Sequence, residues 1–161
     1  MKEVVIYTDG ACKGNPGPGG WAALLAYKEH IKEISGSEPH TTNQRMELTA
    51  AVEGLRLLKE PCRVRLHSDS AYLVNAFQQQ WLEKWKKNGW QTKNKQPVEN
   101  KDLWKELLTL SSYHKVDWIK VKGHSTDAYN NRCDYLAQKA AESQRESVAA
   151  RESRAENQKT E

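Results

Sequence analysis

Four carboxylates stand where a merely solvating charge would be out of place: Asp9, Glu47, Asp69 and Asp134. Asp9 follows the apolar run Val4-Val5-Ile6-Tyr7 and precedes a glycine-rich stretch. Asp69 follows the strand-like Val64-Arg65-Leu66-His67, inside Ser68-Asp69-Ser70. Glu47 and Asp134 each lie beside the apolar stripe of an amphipathic segment. Acids at the ends of neighbouring strands and on the facing sides of helices can converge in one cleft. An oxygen-only donor set of this kind suits Mg²⁺ or Mn²⁺ rather than zinc. Two such ions form the common machinery for phosphodiester hydrolysis.

Each acid also has a plainer reading. A strand-end Asp before Gly is often a turn former, and a helical Glu or Asp is usually a solvated surface charge. The neighbours shift the balance. Asn43 and Glu47 are four apart and share a helix face, as do Asn130 and Asp134. Thr42 stands at a helix N-terminus, a natural phosphate site. The glycine-rich stretch lacks the Gly-Lys-Ser/Thr ending of a P-loop, and no helix follows it as a dinucleotide fingerprint requires. Its glycines let backbone approach a ligand closely. His124 follows a glycine and, beside a metal cluster, is placed to shuttle protons at neutral pH.

Positive charge segregates from these acids. Lys84, Lys86, Lys87, Lys93 and Lys95 fall in twelve residues that hold no acid, interleaved with Trp85 and Trp90 and preceded by Trp81. The tryptophans could be core and the lysines a solvated face. The surrounding Gly, Asn and Lys favour a protruding track for nucleic acid instead. The net charge of +4 agrees with a polyanionic partner.

These residues need elements to carry them. Residues 3–9 read as a buried strand, 10–20 as a glycine-rich loop, and 21–27 and 31–36 as two further strands. Leu48, Ala51, Val52, Leu55 and Leu58 repeat at helical spacing, which predicts a helix over 43–59 with Thr42 or Asn43 as N-cap. A strand at 63–68, a short helix at 71–78, a helix and exposed loop over 81–97, and a helix at 100–111 follow. A strand at 116–121 and a loop at 122–128 lead into a last helix carrying Cys133, Leu136, Ala137 and Ala140. The order β-β-β-α-β-α-α-α-β-α implies an α/β fold, a five-stranded mixed β-sheet with helices on both faces.

A length of 161 residues fits one domain, and no apolar run is long enough to cross a membrane. The N-terminus is expected to enter a strand directly, with no targeting segment. Cys12, Cys62 and Cys133 are odd in number and widely spaced, which suits a reducing cytoplasm and argues against a disulfide framework. From residue 142 the apolar stripe is lost: four basic and five acidic residues share the last twenty. Residues 1–141 are expected to form the catalytic domain and 142–161 a charged tail, disordered or marginally helical.

Together the motifs resemble type 1 ribonuclease H. Ile-Tyr-Thr-Asp-Gly-Ala-Cys-Lys-Gly-Asn-Pro-Gly-Pro-Gly-Gly-Trp at 6–21 is similar to its opening, and Thr-Thr-Asn-Gln-Arg-Met-Glu-Leu at 41–48 to its first-helix motif. Ser-Asp-Ser at 68–70, Val-Lys-Gly-His at 121–124 and Asn-Asn-Arg-Cys-Asp at 130–134 complete the set, in order. Trp-Lys-Lys-Asn-Gly-Trp at 85–90 resembles the basic protrusion of the bacterial members. The resemblance implies the ribonuclease H-like fold in a monomeric endonuclease that hydrolyses the RNA strand of RNA–DNA hybrids, leaving 5′-phosphate and 3′-hydroxyl ends. It implies two Mg²⁺ ions, with Mn²⁺ as a substitute, held by Asp9, Glu47, Asp69 and Asp134. His124 would assist proton transfer and product departure. Glu47, Gln44 and the glycine-rich backbone would read 2′-hydroxyls, the groups that mark RNA. Asn15, Thr42 and Asn43 would contact the DNA strand, with Thr42 in a phosphate pocket. Trp81 and the lysines of 84–95 (Lys84, Lys86, Lys87, Lys93 and Lys95) would hold the DNA backbone, with Trp85 and Trp90 on the same nucleic-acid surface. Cys12 would touch substrate without acting as a nucleophile.

This chain departs from the pattern at three places. Ala71 replaces a polar residue of some relatives, and the Ser125–Tyr129 segment lacks a glycine that many carry. Asp127 adds a carboxylate there, which would alter the basicity of His124 or the motion of its loop. Two rivals remain. A DNA-acting enzyme of the same fold would cut without 2′-hydroxyls, and a non-catalytic hybrid-binding module would lack metal ligands.

Overall fold

The computed structural model describes residues 1–122 and 127–160. Five strands form one sheet: β1 (Lys2–Cys12), β2 (Gly17–Tyr27), β3 (His30–Thr41), β4 (Cys62–Ser68) and β5 (Lys115–Lys120), in the order β3-β2-β1-β4-β5. The first three pair antiparallel, whereas β4 and β5 pair parallel to β1 and to each other. The parallel strands are joined by α1 (Asn43–Arg56) and by α2 (Ala71–Gln78), α3 (Trp81–Lys87) and α4 (Lys101–Tyr113). A long α5 (Ala128–Thr160) ends the chain.

The alternation of β1 decides what lies on each face. Val4 and Ile6 join Leu48, Val52 and Leu55 of α1 and Leu103, Trp104 and Leu107 of α4 in the larger core. Tyr7 and Ala11 join Cys133, Ala137 and Ala141 of α5 in a smaller core on the opposite face. α5 comes close because Gly20 has no side chain. A Cβ there would lie 2.5 Å from the Ala137 carbonyl oxygen and also meet the Ala141 nitrogen. Among the described residues no helix is long and apolar enough to cross a membrane.

Several boundaries differ from the sequence expectation. The stretch 10–20 is mostly strand, since Gly10, Ala11 and Cys12 pair with Trp21, Gly20 and Gly19, and only residues 13–16 turn. Glycine is tolerated here because helices close on both sides of the hairpin, so the absent side chains permit packing. β3 runs to Thr41 rather than residue 36, because β2 now begins at Gly17 and offers it a partner. α1 stops at Arg56, and the 142–160 segment continues α5 without a break.

Candidate active site

Strand β1 presents Asp9, and its parallel neighbour β4 delivers Asp69 just past its own end. Glu47 comes from the second turn of α1, whose N-cap is Thr42: its side chain accepts the Arg45 N–H at 3.2 Å. Gly10 allows that helix to approach. A Cβ on Gly10 would sit 2.5 Å from the Glu47 nitrogen and 2.6 Å from the Met46 carbonyl carbon, so any side chain would push Glu47 away from Asp9. Asp134 arrives from α5 on the other face. All four line one cleft with Gly10, Asn43, Gln44, Ser70 and Gln138.

Carboxylate oxygens of Asp9, Glu47 and Asp69 lie within 4.8 Å of one another. Asp9 and Glu47 are each only 5% exposed, and Glu47 Oε2 is buried without a hydrogen-bond partner. Burial, reinforced by the charge of Asp69 and a carboxyl contact with Asp134, pushes the Asp9 carboxyl up to about 8. Burial and the charges of Asp9 and Asp69 raise Glu47 well above the usual range. Burial also raises Asp69, and Lys120 partly opposes it. Acids crowded in this way cannot all ionise unless positive charge joins them. Oxygen donors alone, one of them an orphaned buried oxygen, fit a hard divalent cation.

The RNase H family model matches residues 1–142. The chain belongs to the RNase H family. It is 69% identical over 140 residues to the Ribonuclease H of Moorella thermoacetica, covering 87% of this chain and 92% of that one. It is 64% identical over 140 residues to the Ribonuclease H of Symbiobacterium thermophilum, covering 87% and 95%. Among solved structures it is similar to LC9-RNase H1, a type 1 RNase H with the type 2 active-site motif. That likeness has a TM-score of 0.79 and 33% identity over 89% of this chain and 74% of the other. LC11-RNase H1, solved in complex with an RNA/DNA hybrid, shares the fold at a TM-score of 0.66 and 22% identity, over 87% of this chain and 97% of that one.

Within this RNase H, the other residues singled out in the sequence fall into three groups. Asn43 and Gln44 line the acid cleft, and the Asn15 side-chain oxygen accepts the Asn43 N–H at 3.0 Å. Thr42 is exposed beside them. Cys12 is half-buried, and its sulfur lies 3.1 Å from the Gly14 carbonyl oxygen and 3.4 Å from those of Gly17 and Thr41, so its one S–H has three acceptors in reach at the hairpin turn. Of the tryptophans expected on a protruding track, Trp90 is turned inward, whereas Trp81 and Trp85 stay partly exposed. Trp90 is buried in the larger core, and Trp81 and Trp85 pack against it. The reason is aromatic packing: Trp85 lies 6.1 Å from Trp81, 6.2 Å from Trp90 and 5.5 Å from Trp104 between ring centroids. Lys84, Lys86, Lys87, Lys93 and Lys95 are all exposed. His124 lies outside the described residues.

Sequence reasoning passed over Ser70 and Gln138. Gln138 follows Asp134 by four residues, the same spacing that linked Asn130 to Asp134, so it could have been found. Asp127, expected to act on His124, which lies outside the described residues, has two partners of its own. One of its oxygens caps α5, accepting the Tyr129 N–H at 2.9 Å, and the other accepts the Tyr7 hydroxyl.

Proposed function

We propose that this RNase H is an endonuclease that hydrolyses the RNA strand of RNA–DNA hybrids, leaving 5′-phosphate and 3′-hydroxyl ends. The observation that carries the proposal is the buried carboxylate cluster with its orphaned Glu47 oxygen. Asp9, Glu47, Asp69 and Asp134 would hold two Mg²⁺ ions, or Mn²⁺ in their place. Bound there, such ions would acidify a water for attack and neutralise the departing 3′-oxygen. Asp9 and Glu47, already short of water, would fix the position of that chemistry.

Around them Gln44 and Glu47 would meet 2′-hydroxyls, and Asn15, Thr42 and Asn43 would meet the DNA strand. The exposed Lys86, Lys87, Lys93 and Lys95 would hold the DNA backbone, and His124 would carry a proton from the reacting centre. Trp81 and Trp85, half-buried, would support that surface more than contact bases. All four acids come from one chain, which supports a monomer. The three free cysteines support a cytoplasmic setting. Residues 1–141 would suffice for catalysis.

The test is a substrate panel with and without Mg²⁺: an end-labelled RNA–DNA duplex, single-stranded RNA, duplex RNA and duplex DNA. The expected result is metal-dependent cutting of RNA in the hybrid alone. Cutting of duplex DNA would favour the DNA-acting rival. Tight hybrid binding with no cutting would favour the non-catalytic one.

A further inference from the structure

Tyr7 lies two residues before Asp9 on β1, on the same face, and is buried. Its hydroxyl donates to Asp127 Oδ2 at 2.5 Å, across 120 residues of chain. Asp127 is the N-cap of α5: its Oδ1 accepts the Tyr129 N–H, and its carbonyl accepts the Asn131 N–H at 3.0 Å. One carboxylate thus joins the strand that bears Asp9 to the first turn of the helix that bears Asp134. The Tyr7 ring is itself held in place. It stacks on His67 with centroids 4.5 Å apart and planes 8° from parallel, and Tyr129 meets it edge-on at 5.8 Å. His67 is the register partner of Tyr7 on β4, two residues before Asp69.

Asp134 follows Asp127 by seven residues, which places both on one stripe of α5 about 10 Å apart along its axis. Tyr7 and Asp9 stand about 7 Å apart on one side of β1. The strand and the helix therefore meet at two rungs, Tyr7 with Asp127 and Asp9 with Asp134. The first is a closed hydrogen bond between a donor and an acceptor. The second is a contact between two acids, which repel once ionised. Asp134 is also the one exposed acid of the four.

We propose that Tyr7, through its hydrogen bond to Asp127, is a positioning residue that sets the start of α5 against β1 so that Asp134 meets Asp9 around a bound cation. The inference rests on the metal-centre reading given above. Its test is a titration of the full chain with Mg²⁺ alone, followed by the amide NMR shifts of Gly10 and Asp134, with the thermal midpoint measured in chelator. Tyr7→Phe keeps the ring stack and removes the hydroxyl. Asp127→Ser keeps a capping oxygen and removes the acceptor for Tyr7.

Each variant is expected to weaken Mg²⁺ binding roughly fivefold, the size of effect one hydrogen bond carries. The double variant should be no weaker than either single, and Asp127→Asn, whose amide can still bond Tyr7, should stay near wild type. Wild-type Mg²⁺ affinity in Tyr7→Phe would overturn the proposal whatever its thermal midpoint, and so would additive losses in the double variant. Asp134→Ala separates the two levels of the argument. If it binds Mg²⁺ as wild type does, the metal-centre reading itself fails. If it binds weakly while Tyr7→Phe binds normally, only the positioning role fails.

Discussion

The acid cleft and the tryptophan–lysine element solve opposite problems. In the cleft the charges point inward, and backbone holds them there: Gly10 lets α1 close on β1, and the parallel β1–β4 pair aligns Asp9 with Asp69. In the segment 81–95 Trp90 points inward, Trp81 and Trp85 lie half-buried against it, and the charges point outward. Trp90 is buried, Trp85 packs among Trp81, Trp90 and Trp104, and the five lysines are exposed. The first arrangement costs stability until a cation joins it. The second is stable as it stands and meets a polyanion only by exchanging counterions. If the acids serve catalysis and the lysines binding, as proposed, the two kinds of group differ in what each does to the fold.

Glu47→Gln should show the largest effect. Cleavage should fall roughly a thousandfold, the scale of losing a metal ligand. The same variant should unfold at a higher temperature than wild type in chelator at pH 8, because a buried carboxylate has gone. A lower midpoint would mean that the cleft does not strain the fold. Trp90→Ala should act the other way round, costing about 3 kcal/mol of stability. Its single-turnover cleavage at saturating hybrid should stay near wild type; a large loss there would join the two regions into one.

Replacing Lys86, Lys87, Lys93 and Lys95 with Ala should leave the thermal midpoint alone and weaken hybrid binding. The salt dependence should flatten by about 0.7–0.9 log unit for each phosphate that is no longer neutralised. An unchanged slope would make these lysines a solvated face and nothing more. A smaller effect concerns pH in the metal-free chain. Asp9 takes its proton near 3.8 in the unfolded chain and near 8 in the folded one, so the folded state binds more protons between those values. Stability in chelator should therefore decline from pH 4 to pH 8. Added Mg²⁺ should raise the melting midpoint by more at pH 8 than at pH 5, and an equal rise at both would contradict the raised Asp9 carboxyl. The smallest effect is expected at the chain end, where the helix is exposed: stopping the chain after Glu146 should leave cleavage and stability as they are.

The sequence disclosed the acids because each interrupts a pattern. Asp9 and Asp69 follow strand-like runs, and Glu47 and Asp134 flank helical stripes, so their element types and order were legible. The Trp–Lys segment misled because Gly89, Asn88 and the lysines describe the outside of an element and say nothing of the inside. Which way Trp90 turns is set by Trp85, itself held against Trp104 on a different helix. The hairpin of residues 10–20 was misread for a similar reason. Glycine reads as a loop former locally, yet Gly10 and Gly20 serve helices that arrive from far along the chain. The Tyr7–Asp127 bond spans 120 residues and has no local signature at all.

The most direct measurement of the central claim compares wild type with Asp9→Asn on a pre-bound, end-labelled RNA–DNA hybrid at saturating Mg²⁺. Binding and single-turnover cleavage are followed in the same samples. The account predicts that Asp9→Asn holds the hybrid with near-wild-type affinity and releases almost no product. Cleavage by Asp9→Asn at a rate close to wild type would contradict it and remove the acid cluster from the chemistry.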